Sequence, residues 1–165
     1  TIAFNSSGAG KLASTYFAPG LAIGALSSDT TIELQSSILS NNTYGSSEND
    51  LSVASNAITV SGQNNLVRVA HAVDFFASQS TACPLLGPLR DNGGLTKTHA
   101  LLSGSAAIDA GNLGVATDYD QRGRALTNGT LDYFRVSGGN LLPDMGAYEV
   151  QQDEIVFNAG FDGCP

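Results

Sequence analysis

The feature that most constrains this chain is the shortness of its apolar bursts. "TIAFN", "LAIGAL", "TIELQSSILSNN", "LSVAS" and "AITVSGQNNLVRVA" follow one another between Thr1 and Ala70, separated by small polar residues. The apolar runs within these stretches have about the length of a β-strand and are rich in Ile, Val, Leu and Thr, and none sustains the roughly 11 residues that a helical hydrophobic period needs. The expected class is therefore all-β.

Asn recurs at the ends of these bursts. Asn5 follows Phe4, Asn41 and Asn42 follow "SILS", and Asn64 and Asn65 precede Leu66. Asn tolerates the left-handed backbone region and bonds nearby backbone through its side chain, so repeated Asn at strand ends marks repeated corners. Placing "TIAFN" on "SILSN" spaces these corners by 36 residues, and Asn41 to Asn64 spaces them by 23. Irregular intervals of that size fit one or two turns of a coil with variable loops. Two architectures satisfy the pattern. One is a parallel β-helix, with short strands stacked into parallel sheets around a narrow aliphatic core. The other is an antiparallel sandwich, which also uses many short strands.

Composition narrows the partners. The 165 residues suffice for one domain, and 42% are hydrophobic but only 13% charged, where an ordinary soluble domain carries about 25% charged residues. Ser, Thr, Asn, Gln and Gly supply the polarity, which favours strands and turns over surface helices. The formal net charge is -8, with Lys11 and Lys97 the only lysines, so a phosphate backbone or an anionic membrane is repelled. This lysine-poor, acidic style suits a secreted bacterial protein. No apolar run reaches the roughly 18 residues of a membrane-spanning helix. Thr1 opens directly on a strand-like segment, without an initiator Met or signal core, and the chain is expected to be cut from something longer.

Cys83 and Cys164 stand 81 positions apart. In an oxidising compartment a bridge between them would tie the C-terminal tail to the body, closing a loop worth roughly 4 kcal/mol by chain entropy; otherwise both are free thiols. From Cys83 the style changes to Gly, Pro and Leu. "SAAIDAG" reads as one helical turn, N-capped by Ser105 and stopped at a left-handed Gly111, while "DMGAYEV" and "EIVFNAGF" read as short terminal strands.

The segment "CPLLGPLRDNGGLTKTHALLSGSAAIDAG", followed by "TDYDQRGRA" and "PDMGAYE", resembles the C-terminal region of bacterial secreted or surface right-handed parallel β-helix proteins, of the polymorphic outer-membrane-like or choice-of-anchor type. That region reads "DPLLGPLxDNGGPTxTHALLPGSPAIDAG", then "TDQRG", then "DIGAYE". Upstream, "SSILSNNT", "NDLSV" and "ITVSGQNNLV" resemble the last coils of the same group, so the likeness covers nearly the whole chain. Cys83 stands where the group has Asp, and Leu95, Ser103 and Ala106 stand where it has Pro. The resemblance implies a single-stranded right-handed β-helix of the pectate-lyase-like type, and an extracellular or bacterial cell-surface location. Its coils would occupy residues 1–82, a C-terminal bracing or capping segment residues 83–150, and a terminal strand or tail residues 151–165. It brings no catalytic assignment, because fold does not settle function.

The chemistry-bearing residues read mainly as structural. His99 in "KTHALL" is the obvious base, but its apolar neighbours suggest a ring packed at a boundary and bonded to backbone. His71 lies three residues from Asp74, a commonplace spacing. Thr1 could be its own nucleophile, but no supporting lysine or acid is apparent. Asp109, Asp118, Asp120, Asp132, Asp144 and Glu149 form a loose carboxylate group. Asp118 and Asp120 are the calcium candidates, with hard oxygens near Gly123, although they lack an EF-hand or nonapeptide spacing. Turn capping, with Arg122 or Arg124 as counter-charge, is the competing account. No hydrolase, zinc-protease, P-loop or dinucleotide motif is present.

The expected function is non-enzymatic: a secreted or surface β-helix protein with a structural, adhesive or assembly role. Its partners would be the upstream part of its own parent chain or further copies, end to end, or a surface polysaccharide, and neither nucleic acid nor a cofactor beyond calcium is expected. The alternative is the terminal part of a carbohydrate-active lyase or hydrolase. Tyr16, Phe17, Phe75, Phe76, Tyr119, Tyr133 and Phe134 would then be the aromatics that stack on sugar.

Overall fold

The computed structural model describes residues 1–7, 20–24, 30–53, 58–71, 79–112, 114, 119–124 and 142–150. Among them the chain is all-β, with no α-helix and twelve strands of two to four residues. In chain order these are β1 (Ile2–Ala3), β2 (Ser6–Ser7), β3 (Leu21–Ile23), β4 (Thr30–Glu33), β5 (Ile38–Ser40) and β6 (Thr43–Tyr44). They continue with β7 (Ser47–Glu48), β8 (Leu51–Val53), β9 (Ile58–Ser61), β10 (Asn65–Val67), β11 (Ala70–His71) and β12 (Gln79–Ser80). No helix among the described residues is long and apolar enough to cross a membrane.

The strands form four sheets, ordered β1-β5-β10-β12, β11-β8-β3, β2-β6-β7 and β4-β9. Every pairing is parallel except the local β6–β7 hairpin. Parallel neighbours cannot be joined by a tight turn. The chain therefore leaves each sheet, visits the others, and returns: β1 to β4 touch the four sheets once, and β5, β6, β8 and β9 touch them again in the same order. Ile2 pairs with Leu39, and Leu39 with Val67, so successive visits are 37 and then 28 residues apart.

This register corrects the spacing read from the Asn residues. "TIAFN" lies on "ILSNN", one residue beyond the expected alignment, so that Asn5 stands over Asn42 and not Asn41. Asn41 and Asn64 do not repeat one another, for they flank the sheet on opposite sides. Phe4 and Asn41 take φ of 57° just after the paired residues Ala3 and Ser40, while Ser36 and Asn64 take 47° and 54° just before β5 and β10. Left-handed corners thus stack at both ends of the four-stranded sheet.

Alternation along β5 and β10 sends side chains to two cores. Leu39 and Val67 join Leu51, Val53, Ile58 and Val60 in one buried cluster. Ile38 and Leu66 face the other way, into a second cluster with Leu86, Leu101, Ala107, Met145, Tyr148 and Val150. The central strands of the four-stranded sheet, β5 and β10, are buried on both faces, the usual condition of parallel sheets.

The segment from Cys83 therefore lies against the outer face of that sheet. It doubles back through antiparallel bridges at Leu86–Leu101 and Arg90–Thr98. "SAAIDAG" is a set of tight turns and not a helical turn: Ser105 Oγ accepts the Ala107 N–H at 3.2 Å as expected of a cap, but Asp109 takes the left-handed conformation, at φ 53°. Gly111 is needed for a different reason, since a Cβ there would sit 2.8 Å from the Pro143 carbonyl oxygen. "DMGAYEV" is irregular and contributes no strand, because its N–H groups go to side chains and to distant loops. "EIVFNAGF" lies outside the described residues.

Gly62 marks the tightest point between two passes. Its φ is +129°, and a Cβ would fall 1.6 Å from the Leu34 carbonyl oxygen. Gly62→Ala is expected to destabilise the fold by about 3 kcal/mol or more, whereas Gly24→Ala, with nothing within 4 Å, is expected to be neutral. Urea unfolding of both variants checks the contrast.

Candidate functional site

Two buried polar centres organise the described residues. The first stands where the chain turns away from β1 and β5. Asn42 and Asp50 are completely buried. Asp50 Oδ1 accepts the Asn42 N–H at 2.9 Å and its side-chain amide at 2.8 Å, and Oδ2 accepts the Val69 N–H at 3.0 Å. Asn42 Nδ2 also donates to the carbonyls of Ile2 and Ser40, each at 3.1 Å, while its Oδ1 accepts from Asn5. Three successive passes of the chain are thereby tied through the Asn42–Asp50 pair. The Asn residues were legible in the sequence as corners, but Asp50 carried no signal of its own.

The second centre joins "DQRGR" to "PDMGAYEV". Arg122 is buried, with its Nε 2.7 Å from Asp120 Oδ2, its Nη2 donating to the Glu149 carbonyl, and its Cζ 3.7 Å above the centre of the Tyr148 ring. Asp120 Oδ1 also accepts the N–H groups of Arg122 and Arg124, at 2.8 and 2.9 Å, and Oδ2 the Glu149 N–H at 3.2 Å. Gly94 lets the 91–98 loop close over this residue, since a Cβ would lie 2.8 Å from the Arg122 Cα.

Within the second segment, the side chains of Asp144 and Glu149 each hold backbone of that same segment. Glu149 Oε2 accepts the Asp144 N–H at 2.9 Å, and Asp144 Oδ2 accepts the Val150 N–H at 2.8 Å. Asp144 Oδ1 takes the Asp109 N–H, also at 2.8 Å. Burial, reinforced by the nearby Asp109 charge, raises the Asp144 carboxyl to about 7, against the opposing pull of its two N–H donors and of Arg122.

The expected candidates divide accordingly. Asp109, Asp120, Asp144 and Glu149 are brought together with Arg122, whereas Asp118 and Asp132 lie outside the described residues. Both oxygens of Asp120 accept N–H donors, so it clasps a turn, with Arg122 as its counter-charge. Among the described residues no group of three or more His, Cys, Asp or Glu has the arrangement of a metal site.

His99 is held as its neighbours implied. Nδ1 lies 2.7 Å from the Gly87 carbonyl, which requires that this nitrogen carry the proton, and the ring packs 5.0 Å from Phe4. His71 is exposed at the end of β11, and its neighbour Asp74 is outside the described residues. Thr1 Oγ1 accepts the Ala147 N–H at 3.3 Å, which engages the hydroxyl. Cys83 is half-buried beside the fully buried Pro84, while Cys164 lies outside the described residues. Of the seven sugar-stacking candidates, Tyr119 alone falls among the described residues, and it is 62% exposed.

Removing Arg122 would leave the Asp120 carboxylate buried without its counter-charge. Arg122→Met is expected to cost about 3–5 kcal/mol, and Arg122→Lys to recover only part, since an ammonium reproduces neither the fork to Asp120 and Glu149 nor the flat contact with Tyr148. Chemical unfolding of the two variants measures both effects. No family model, curated protein or solved structure matches this chain.

Proposed function

We propose that these residues are coils of a right-handed, single-stranded parallel β-helix belonging to a secreted or bacterial surface protein. Its role is structural, adhesive or assembly-forming, and the C-terminal segment braces one flank. The repeated visits to four parallel sheets in one order support this reading, as do the left-handed corners stacked at the ends of β5.

The observation that carries the assembly role is the row of edge strands that the first pass forms among the described residues. β1, β2, β3 and β4 all stand at the edge of their sheets among the described residues. Their inward residues Ile2, Leu21, Ile23 and Ile32 are only half-buried, although they stack on the buried Leu39, Leu51, Val53 and Val60 of the next pass. Solvent-facing edges are normally protected by charge or proline. Here the four edge strands carry a single charged residue, Glu33. A row of this kind suits a further coil, supplied by another part of the same polypeptide or by another copy.

The catalytic alternative has less support, since Asp50, Asp120, Asp144 and Glu149 are turned inward and committed to backbone and Arg122. A Cys83–Cys164 bridge fits the extracytoplasmic reading. Reduction is then expected to lower stability by roughly 4 kcal/mol, and thiol titration of the unreduced, denatured chain should find no free cysteine.

Sedimentation velocity across a concentration series tests the assembly role. The expected result is concentration-dependent association that Ala22→Lys and Thr31→Lys abolish, because both residues are exposed on edge strands and lie outside the cores. A strictly monomeric chain that instead depolymerises an acidic polysaccharide would overturn it.

A further inference from the structure

Residues 88–99 and 119–124 gather positive charge in an acidic chain. They contain Arg90, Lys97, Arg122 and Arg124 against Asp91 and Asp120, whereas the rest of the sequence has three Lys or Arg and thirteen Asp or Glu. Arg122 and Asp120 are buried against one another. Arg90, Lys97 and Arg124 are exposed, and Asp91 is the one exposed carboxylate of the two segments. Tyr119, which opens the second segment, is 62% exposed.

The two segments form one face, fixed from below. Gln121 Nε2 donates to Thr96 Oγ1 at 2.7 Å, and Arg122 Nη1 to the Asn92 carbonyl at 3.4 Å. Gln121 N–H donates at 3.2 Å to Ala147, in the 142–150 strap that covers the outer core. Within the first segment, Asn92 Nδ2 donates to the carbonyl and hydroxyl of Thr98 at 2.8 and 3.0 Å, and its Oδ1 accepts from Arg90 Nε at 3.0 Å. Arg124 Nη2 stands 4.0 Å from where a Gly93 Cβ would lie, which brings the second segment's cation over the first. Leu89 and Leu95 are exposed as well, but single exposed leucines are ordinary on a surface and point to no partner.

We propose that this face binds an acidic polysaccharide, with glycan carboxylates on Arg90, Lys97 and Arg124 and a sugar ring against Tyr119. Charge complementarity selects an anionic partner. The tyrosine ring, an apolar plate with a polar tip, suits a partner that also offers flat C–H faces, as sugar rings do. The net charge of -8 repels a polyanion at a distance, but salt at about 0.15 M screens exposed charges beyond about 8 Å, so a chain lying on these loops meets the local excess of cations. Binding is not cleavage here: Asp91 Oδ1 accepts the Gly93 N–H at 2.9 Å, and the two segments expose no second carboxylate to complete an acid–base pair. The inference rests on the adhesive reading of the function and gives it a ligand; it is independent of association through the edge strands.

Titration calorimetry of the intact chain with polygalacturonate, neutral dextran and single-stranded DNA tests it. The expected result is binding to polygalacturonate alone, weakened about tenfold or more as salt rises from about 0.05 to about 0.5 M. Tyr119→Ala is expected to weaken it about fivefold, and Arg90→Gln with Lys97→Gln about tenfold, while Leu95→Ser leaves it unchanged. Urea midpoints equal to the parent's show that the variants are folded. No binding at low salt, DNA bound as tightly as polygalacturonate, or a Tyr119→Ala variant that binds like the parent overturns the proposal. So does binding lost in Leu95→Ser, the mark of an apolar protein contact. Failure on any of these counts leaves the sedimentation result standing, whereas a fall in polygalacturonate viscosity, which reports cleavage, overturns the adhesive reading itself.

Discussion

A strand of two or three residues cannot hold itself in place. It makes too few ladder bonds to offset the ordering of its backbone, so it is most secure when paired on both edges and packed on both faces. β5 meets that condition: it lies between β1 and β10, sends Ile38 to one core and Leu39 to the other, and is buried along its whole length. The remaining strands, corners and covering segments depend on the register that β5 sets. A shift of one residue would exchange its two faces and place Leu39 where Ile38 meets Met145 and Tyr148.

The polar interior follows from the same geometry. Turning the chain between short parallel strands leaves backbone groups at each corner that no ladder satisfies, and buried groups of this kind need partners. Asn42 and Asp50 supply them between passes, joining Ile2, Ser40 and Val69 through side chains. Asp120, Asp144 and Glu149 do the same for the irregular strap, which pairs with no strand among the described residues. The carboxylates are thus committed to holding backbone.

Much of this was legible locally, and the reasons differ by element. Short bursts of β-branched and aliphatic residues announced strands, because a helix needs a longer amphipathic period. Asn41 and Asn64 announced left-handed corners, and both take that conformation. Phe4 and Ser36 take it as well without any compositional sign, since stacking on Asn41 and Asn64 compels them. "SAAIDAG" misled for the same kind of reason: its turn propensities were read correctly at Ser105, but contact with Pro143 decided what Gly111 is for.

The amino-acid order by itself determined the all-β class, the strand lengths and the residues that could serve as corners, since these depend on side-chain branching, apolar period and backbone tolerance within a few positions. Only the tertiary structure decided that the strands pair in parallel, that Asn5 stands over Asn42, and that Arg122 lies against Tyr148 and between Asp120 and Glu149. Those outcomes join residues about 30 positions apart, where loop closure contributes almost the same cost to neighbouring registers. The choice among registers therefore falls to the packing of two cores against one sheet.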